Sequence, residues 1–203
     1  MRADLQDRHS IHGMILAGGQ ATRMQGQDKG LIALQGKALI AHVIERLQPQ
    51  LGEIRINANR NLARYRQFGF PVFSDASQDF QGPLAGMLQG LRELETGKHD
   101  WLVCVPCDAP RLPRDLVARF CRSLGERDRL AVADDGKWMQ PTFCMLHRSL
   151  ADQLENYIAN GGRKTADWLA GENARRVDFS DQASAFVNIN SGEDLQHYID
   201  QQD

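Results

Sequence analysis

Short apolar runs alternate along this chain with segments in which every third or fourth position is apolar, and the two periods predict different elements. Ile11–Leu16 is the first run and reads as a strand. A second apolar piece, Leu31–Leu34, is closed by a turn at Gln35-Gly36. The period then changes: Leu39, Ile40, Val43, Ile44 and Leu47 share one helical face, and this helix should end before Pro49, because a proline disfavours helical geometry in the residue ahead of it. Ile54–Asn57 and Val72–Phe73 read as short strands on either side of a helical segment at Asn61–Phe68. Leu84, Met87, Leu88, Leu91 and Leu94 mark a second amphipathic helix. Trp101–Val105 is almost continuously apolar, as expected of a central strand covered on both faces. Pro113–Leu124 reads as a helix with proline at its first position, which suits the fixed φ and missing N–H.

The second half is less regular. Leu130–Ala133 and Pro141–Leu146 read as strands joined through a polar turn at Asp134–Lys137. Helices are expected over Ser149–Asn160, stopped by Gly161-Gly162, and over Lys164–Ala170, stopped by Gly171. Strands near Arg176–Asp178 and Ala185–Asn188 follow, before a closing helix from Gly192 to about Tyr198. Alternation of this kind predicts an α/β fold of three layers, a mostly parallel central sheet with helices on both faces, and ligands outside the carboxyl ends of the strands. One domain is expected over 11–203, with a disordered lead at 1–10.

Composition narrows the class. The 203 residues are 42% hydrophobic and 25% charged, proportions that argue against long disorder and support one substantial core. No apolar run approaches the roughly 20 residues of a membrane-spanning helix, and Met1–Ser10 is charged and polar, unlike a secretory leader. A cytoplasmic location is expected. A net charge of −2 and a pI near 6.3 create no global positive field, so neither nucleic acid nor an anionic membrane is an expected partner. Cys104-Val105-Pro106-Cys107 has the spacing of a redox pair or half a zinc site. It closes a strand, whereas a redox pair opens a helix, and two further ligands at metal spacing are missing, so reduced buried thiols are expected for all four cysteines. The six histidines show no ligand spacing.

The chemistry begins where the first strand ends. Gly18 and Gly19 can bring main-chain N–H groups against phosphate oxygens with no Cβ in the way, and Arg23 and Lys29 lie close enough in sequence to add charge. The spacing is neither the dinucleotide fingerprint nor the P-loop. Lys29 would act as a compact charge on a triphosphate and Arg23 as a planar fork, against the alternative that both are solvated surface cations. Asp108 follows the buried strand between Pro106 and Pro110 and is the best metal candidate, since Mg²⁺ accepts one carboxylate plus phosphate and water. A turn or cap aspartate is the alternative. Asn57 ends one predicted strand and Asp75 follows another, so both could reach the same rim or serve as turn formers. Asn188 and Asn190, two apart, share a side in an extended segment, or belong to a turn before the last helix with Ser191 as its cap.

Leu16-Ala17-Gly18-Gly19, Arg23-Met24 and Asp28-Lys29 resemble the nucleotidyltransferases of that motif, and most closely the molybdenum cofactor guanylyltransferases. Further matches are Asn57-Ala58-Asn59-Arg60, Asp75, Gly82-Pro83-Leu84-Ala85-Gly86, Pro106-Cys107-Asp108-Ala109-Pro110, Gln140-Pro141-Thr142 and Phe186-Val187-Asn188-Ile189-Asn190. The likeness covers nearly the whole chain after residue 10. Gln25 stands where the family usually carries glycine, with the Gly19 to Lys29 spacing kept.

The resemblance implies a Rossmann-like nucleotidyltransferase fold. It also implies transfer of GMP from GTP to the terminal phosphate of molybdenum-molybdopterin, giving the guanine dinucleotide cofactor and pyrophosphate. It places Leu16, Ala17, Gly18, Gly19, Lys29, Asn57, Asp75 and Asp108 at the nucleotide, with Arg23, Lys29 and Asp108 catalytic and Mg²⁺ on Asp108. Asn188 and Asn190 would face the acceptor or complete the metal shell. Transient contacts with other molybdenum cofactor biosynthesis proteins are implied as well. The rival enzymes are a cytidylyltransferase on the same pterin and a sugar-1-phosphate nucleotidyltransferase. Those tend to place alanine at Gly18, where a Cβ could crowd the base or its approach to the loop. A non-catalytic nucleotide-binding regulatory module is the rival from another class.

Overall fold

Burial on both faces is what turns the apolar runs into strands. The computed structural model describes residues 5, 10–19, 28–75, 82–94, 100–191, 193, 194, 196 and 198. Its strands are β1 (Ile11–Leu16), β2 (Ala33–Leu34), β3 (Lys37–Ala38), β4 (Glu53–Asn57), β5 (Val72–Phe73), β6 (Trp101–Pro106), β7 (Leu130–Asp134), β8 (Met139–His147) and β9 (Arg175–Asp178). The helices are α1 (Leu39–Leu47), α2 (Leu62–Arg66), α3 (Pro83–Arg92), α4 (Leu116–Ser123), α5 (Ala151–Ala159) and α6 (Thr165–Gly171). Glu193, Asp194, Gln196 and Tyr198 are also helical. No helix among the described residues is long and apolar enough to cross a membrane.

Seven strands form one sheet in the order β5-β4-β1-β6-β8-β7-β9, and only β8 runs antiparallel to its neighbours. Every residue of β1 and of β6 is buried. Their side chains alternate between two layers. Ile11, Ile15, Trp101, Val103 and Val105 pack with Ile40 and Val43 of α1 and Phe120 of α4. Met14, Leu16, Leu102 and Cys104 pack with Leu84 of α3, Leu154 of α5 and Trp168 of α6. The expected three-layer, mostly parallel architecture is therefore the observed one. Leu5, within the lead expected to be disordered, is buried against the first of these layers.

Packing rather than capping fixes the helices. None of α1 to α6 has a side-chain bond at its N-cap. Such a bond contributes about 1 kcal/mol, whereas fully burying one large apolar side chain contributes roughly 1.5–3 kcal/mol, and α1 alone buries five. The turn between β2 and β3 falls at Gln35-Gly36, both at positive φ (52° and 78°), the geometry of a tight two-residue hairpin.

Two expected elements differ. The helix predicted from Pro113 begins at Leu116, because Pro113–Asp115 forms a separate turn: Asp115 is non-helical (φ −119°, ψ 16°), and the Pro113 carbonyl accepts from Gln50 Nε2 at 2.9 Å. Gln50 Oε1 then accepts from the Val117 N–H at 3.0 Å, replacing the missing cap. The strand predicted at Ala185–Asn188 is not one. Ser180–Phe186 forms 3₁₀ turns, and the apolar signal came from aromatic packing, with Phe186 edge-on to Phe143 (4.8 Å between centroids) and Phe179 (5.3 Å).

The topology creates a crevice. β4 and β6 flank β1, the chain crossing from one side of β1 to the other, with α1 in one layer and α3 in the other. Such switch points at carboxyl strand ends are where open α/β sheets take ligands. β8 widens the opening. It pairs with β6 only as far as Cys144, and its register against β7 jumps from Val132↔Cys144 to Ala133↔Gln140. Pro141, with no N–H to lose, sits in that bulge and helps bring Thr142 to the crevice.

Candidate active site

β1 is pinned where the glycine loop leaves it. The Ala17 N–H donates to the Asn57 carbonyl at 2.7 Å, and the Leu16 carbonyl accepts from Cys107 N–H at 3.1 Å. A cavity of about 210 Å³ opens there, lined by Leu16, Ala17, Gly18 and Gly19 together with Lys29, Asn57, Asp108, Asn188 and Asn190. A Cβ on Gly19 would meet no atom within 4 Å, so its backbone is open to close approach by a ligand. Arg23 and Gln25 lie outside the described residues.

Lys29 meets two other predicted positions. Its Nζ stands 3.5 Å from Asp108 Oδ2 and donates to Asn190 Oδ1. Asp108 is 7% exposed; burial pushes its carboxyl above the ordinary range, and the Lys29 charge opposes that rise. Ile189 is buried against Ile32, Leu34 and Leu39, and its N–H donates to the Asp108 carbonyl at 2.9 Å. Its inward turn leaves Asn188 and Asn190 on the cavity side, as their spacing predicts. The Asn188 side-chain oxygen is buried there without a hydrogen-bond partner among the described residues.

No cluster of three or more His, Cys, Asp or Glu side chains able to hold a metal exists among the described residues. Mg²⁺ bound to a nucleotide needs fewer, one or two carboxylates with phosphate and water. The Asp108 carboxylate and the orphaned Asn188 oxygen fit that smaller share.

The backbone around Lys29 is fixed from below. Asp28 is buried and accepts from the Tyr65 hydroxyl at 2.5 Å and from Asn61 Nδ2 at 3.3 Å. Burial, with Cys107 and Asp28 close by, pushes the Tyr65 phenol far above its usual range, so it stays a donor. A Cβ on Gly30 would lie 2.7 Å from the Tyr65 hydroxyl oxygen and 3.2 Å from Cys107 Sγ, which explains the glycine. The sequence reading gave Asp28 and Tyr65 no role; the available signal was Asp28 inside the Asp-Lys-Gly motif. All four cysteines are free and buried, and burial raises the Cys104 and Cys107 thiols, which suits inert packing groups.

Asn57 and Asp75 meet on the other side of the glycine loop. Asn57 Nδ2 donates to Asp75 Oδ1 at 2.8 Å and Asn59 Nδ2 to Asp75 Oδ2 at 2.6 Å. A Cβ on Gly86 would lie 2.5 Å from Asn57 Oδ1, so α3 approaches closely only because glycine stands there. A Cβ on Gly18 would point toward this network, 2.9 Å from both Asn57 Oδ1 and Asn59 Nδ2. The expected crowding at Gly18 thus falls first on these amides. Of this network Gly18 and Asn57 line the cavity, whereas the predicted site residue Asp75, like Asn59, does not and is bonded to the Asn57 amide from outside the lining.

Comparison with known proteins agrees over most of the chain. Residues 13–179 match the family described as MobA-like NTP transferase domain. A molybdenum cofactor guanylyltransferase of Photobacterium profundum is 49% identical over 185 residues, covering 91% of this chain and 93% of that protein. One from Serratia proteamaculans is 48% identical over 184 residues, covering 91% of each. Among solved structures, a molybdopterin-guanine dinucleotide biosynthesis protein A from Archaeoglobus fulgidus superposes with a TM-score of 0.71 at 22% identity, covering 95% of this chain and 100% of that one. A nucleotidyl transferase from Methanothermobacter does so with 0.74 at 18%, covering 95% and 97%. The structural likenesses speak to the fold alone; the family match and the sequence relatives show that the chain belongs to the MobA-like NTP transferases.

Proposed function

We propose that this protein transfers GMP from GTP to the terminal phosphate of molybdenum-molybdopterin, releasing pyrophosphate. The observation that carries the reading is the meeting of Lys29, Asp108 and Asn190 beside the glycine loop. The names of the relatives at 48% and 49% identity support it. A phosphate oxygen of the acceptor forms the new bond to the α-phosphorus of GTP, and the bond from that phosphorus to the β-phosphate oxygen breaks. A phosphate monoester loses its second proton near pH 6, so the nucleophile needs no base at neutral pH.

The chain's work is alignment and charge. The N–H groups of Gly18 and Gly19 would hold phosphate oxygens, and Lys29 would turn from Asp108 toward the β- and γ-phosphates that leave. Asp108, with the Asn188 oxygen, would hold Mg²⁺, which when bound neutralises charge on the leaving pyrophosphate. Asn190 would orient Lys29 and face the acceptor, and Arg23 would add a second cation. Four free cysteines fit a reducing, cytoplasmic setting.

The test is turnover with molybdopterin cofactor and Mg²⁺, GTP and CTP in parallel, following pyrophosphate and the dinucleotide. GTP-selective product is expected. Lys29→Ala should lower turnover on the order of 10²–10³; wild-type turnover in that variant would remove the reading. CTP-selective product would keep the chemistry and overturn the base assignment. Product with neither would point to sugar phosphates or to binding alone.

A further inference from the structure

Neither Asn59 nor Asp75 lines the cavity, yet the Asn59 side-chain amide bonds both Asp75 and the carbonyl of Gly18, which does line it. Its Oδ1 accepts from the Asp75 N–H at 2.9 Å. Its Nδ2 donates to Asp75 Oδ2 at 2.6 Å and to the Gly18 carbonyl at 3.2 Å. The orientation of this amide is unique, since a flipped group would set its oxygen against two acceptors and its nitrogen against a donor. One residue thus fixes the backbone and carboxylate of Asp75 and the first glycine of the loop.

We propose that Asn59 is a positioning residue that sets base selectivity, by holding the Asp75 carboxylate and the Gly18 carbonyl in one hydrogen-bonded frame. The proposal rests on the nucleotide reading above and names how the base is chosen. Asp75 accepts one amide hydrogen on each oxygen, from Asn57 and from Asn59, and each oxygen keeps capacity for one more donor. No cation pairs with it among the described residues. A carboxylate held in this way accepts best from a base edge with two adjacent donors. Guanine has that edge in N1–H and the 2-amino group; cytosine offers one donor beside acceptors, which a carboxylate repels. The frame also gives Gly18 its constraint. A Cβ there would strike Asn59 Nδ2 at 2.9 Å and so displace the amide that orients Asp75.

The test is equilibrium binding of GTP, ITP and CTP to the wild type and to Asn59→Ala, with steady-state turnover alongside. The wild type should prefer GTP over both others, ITP lacking the 2-amino group. Asn59→Ala should shrink the GTP preference by about tenfold or more, as expected for losing a bond to a charged group, with the loss in KM exceeding that in kcat. A merely structural role would weaken all three nucleotides together.

An exchange variant, Asn59→Asp with Asp75→Asn, guards against misfolding of the single one. It restores the bond between positions 59 and 75 with the roles reversed, sets a carboxylate oxygen where an amide N–H had faced the Gly18 carbonyl, and should lose the GTP preference, with a thermal melt showing that each variant is folded. Loss of equal size for GTP and CTP in Asn59→Ala, or a retained GTP preference in the exchange variant, overturns the proposal. A wild type that binds GTP selectively but makes no dinucleotide would instead overturn the transferase reading and leave this test standing.

Discussion

At the residue scale, what can be read from sequence divides along local and non-local bonds. Lys29, Gly18 and Asp108 were legible because each stands beside a short motif whose chemistry is carried by neighbours in the chain. Asn59 and Tyr65 were not, because their meaning depends on contacts 16 and 37 positions away. Tyr65 offers the sharper energetic case. Its hydroxyl donates to the buried Asp28 carboxylate at 2.5 Å, directly under Lys29, and Asn61 at 3.3 Å is the second donor. Tyr65→Phe removes a bond to a charged group while keeping the ring, so it should cost about 1.5–3 kcal/mol. Urea denaturation measures this, and turnover should fall with it as the Lys29 turn loosens. A variant as stable and as active as the wild type would show that Asp28 needs only Asn61. Gly30→Ala attacks the same place by crowding and should cost about 1–3 kcal/mol, since its Cβ would meet the Tyr65 hydroxyl oxygen at 2.7 Å.

At the scale of elements, period located the strands and helices well and failed where tertiary bonds replaced local rules. Pro113 has the residue type of a helix start, yet the helix begins three residues on because Gln50 bonds both the Pro113 carbonyl and the Val117 N–H. The apolar stretch at 185–188 has the composition of a strand, yet Phe186 goes to an aromatic cluster. That region is tied to α4 by charge. Arg119 bonds Asp115 Oδ2 at 2.7 Å and Asp181 Oδ2 at 2.6 Å. Burial pulls Asp115 upward, but bonds from Arg119 and Gln182 outweigh it and leave it below the usual carboxylate range. Asp181 is lowered by its bond from Arg119. Both groups therefore bind protons less readily folded than unfolded. Their contribution is fully present above the ordinary carboxylate value of about 3.9 and is lost as pH falls through the lowered folded values. Arg119→Met should be less stable than the wild type near neutral pH, and the gap should narrow below about pH 4. Thermal melts across that range measure it; a gap independent of pH would assign the loss to the guanidinium packed 4.8 Å over the Phe179 ring.

At the scale of the whole molecule, alternation gave the layers but not the order of strands. Which strand lies beside which depends on contacts between distant segments, and β8, inserted between β6 and β7 and antiparallel to both in the seven-stranded sheet, leaves no local mark of its place. The same non-local logic completes the cavity, for its far wall comes from the last part of the chain. Ile189 is 1% exposed against Ile32, Leu34 and Leu39, and Tyr198 joins them. This small cluster seats Asn190 on Lys29 while the Ile189 N–H holds the Asp108 carbonyl. If it positions catalytic groups as well as stabilising the fold, then disturbing it should cost more turnover than its stability loss explains. Ile189→Ala should destabilise by about 2–5 kcal/mol, as large-to-small changes in packed sites do. Leu169→Ala is the matched control, since Leu169 is fully buried in the opposite layer and does not belong to the Ile189 cluster. Assayed at a temperature where both variants remain folded, Ile189→Ala should lose turnover and Leu169→Ala should keep it. Equal turnover would mean that Asn190 and Asp108 hold their places without the cluster, and that the final segment contributes to the cavity only through the side chains that face it.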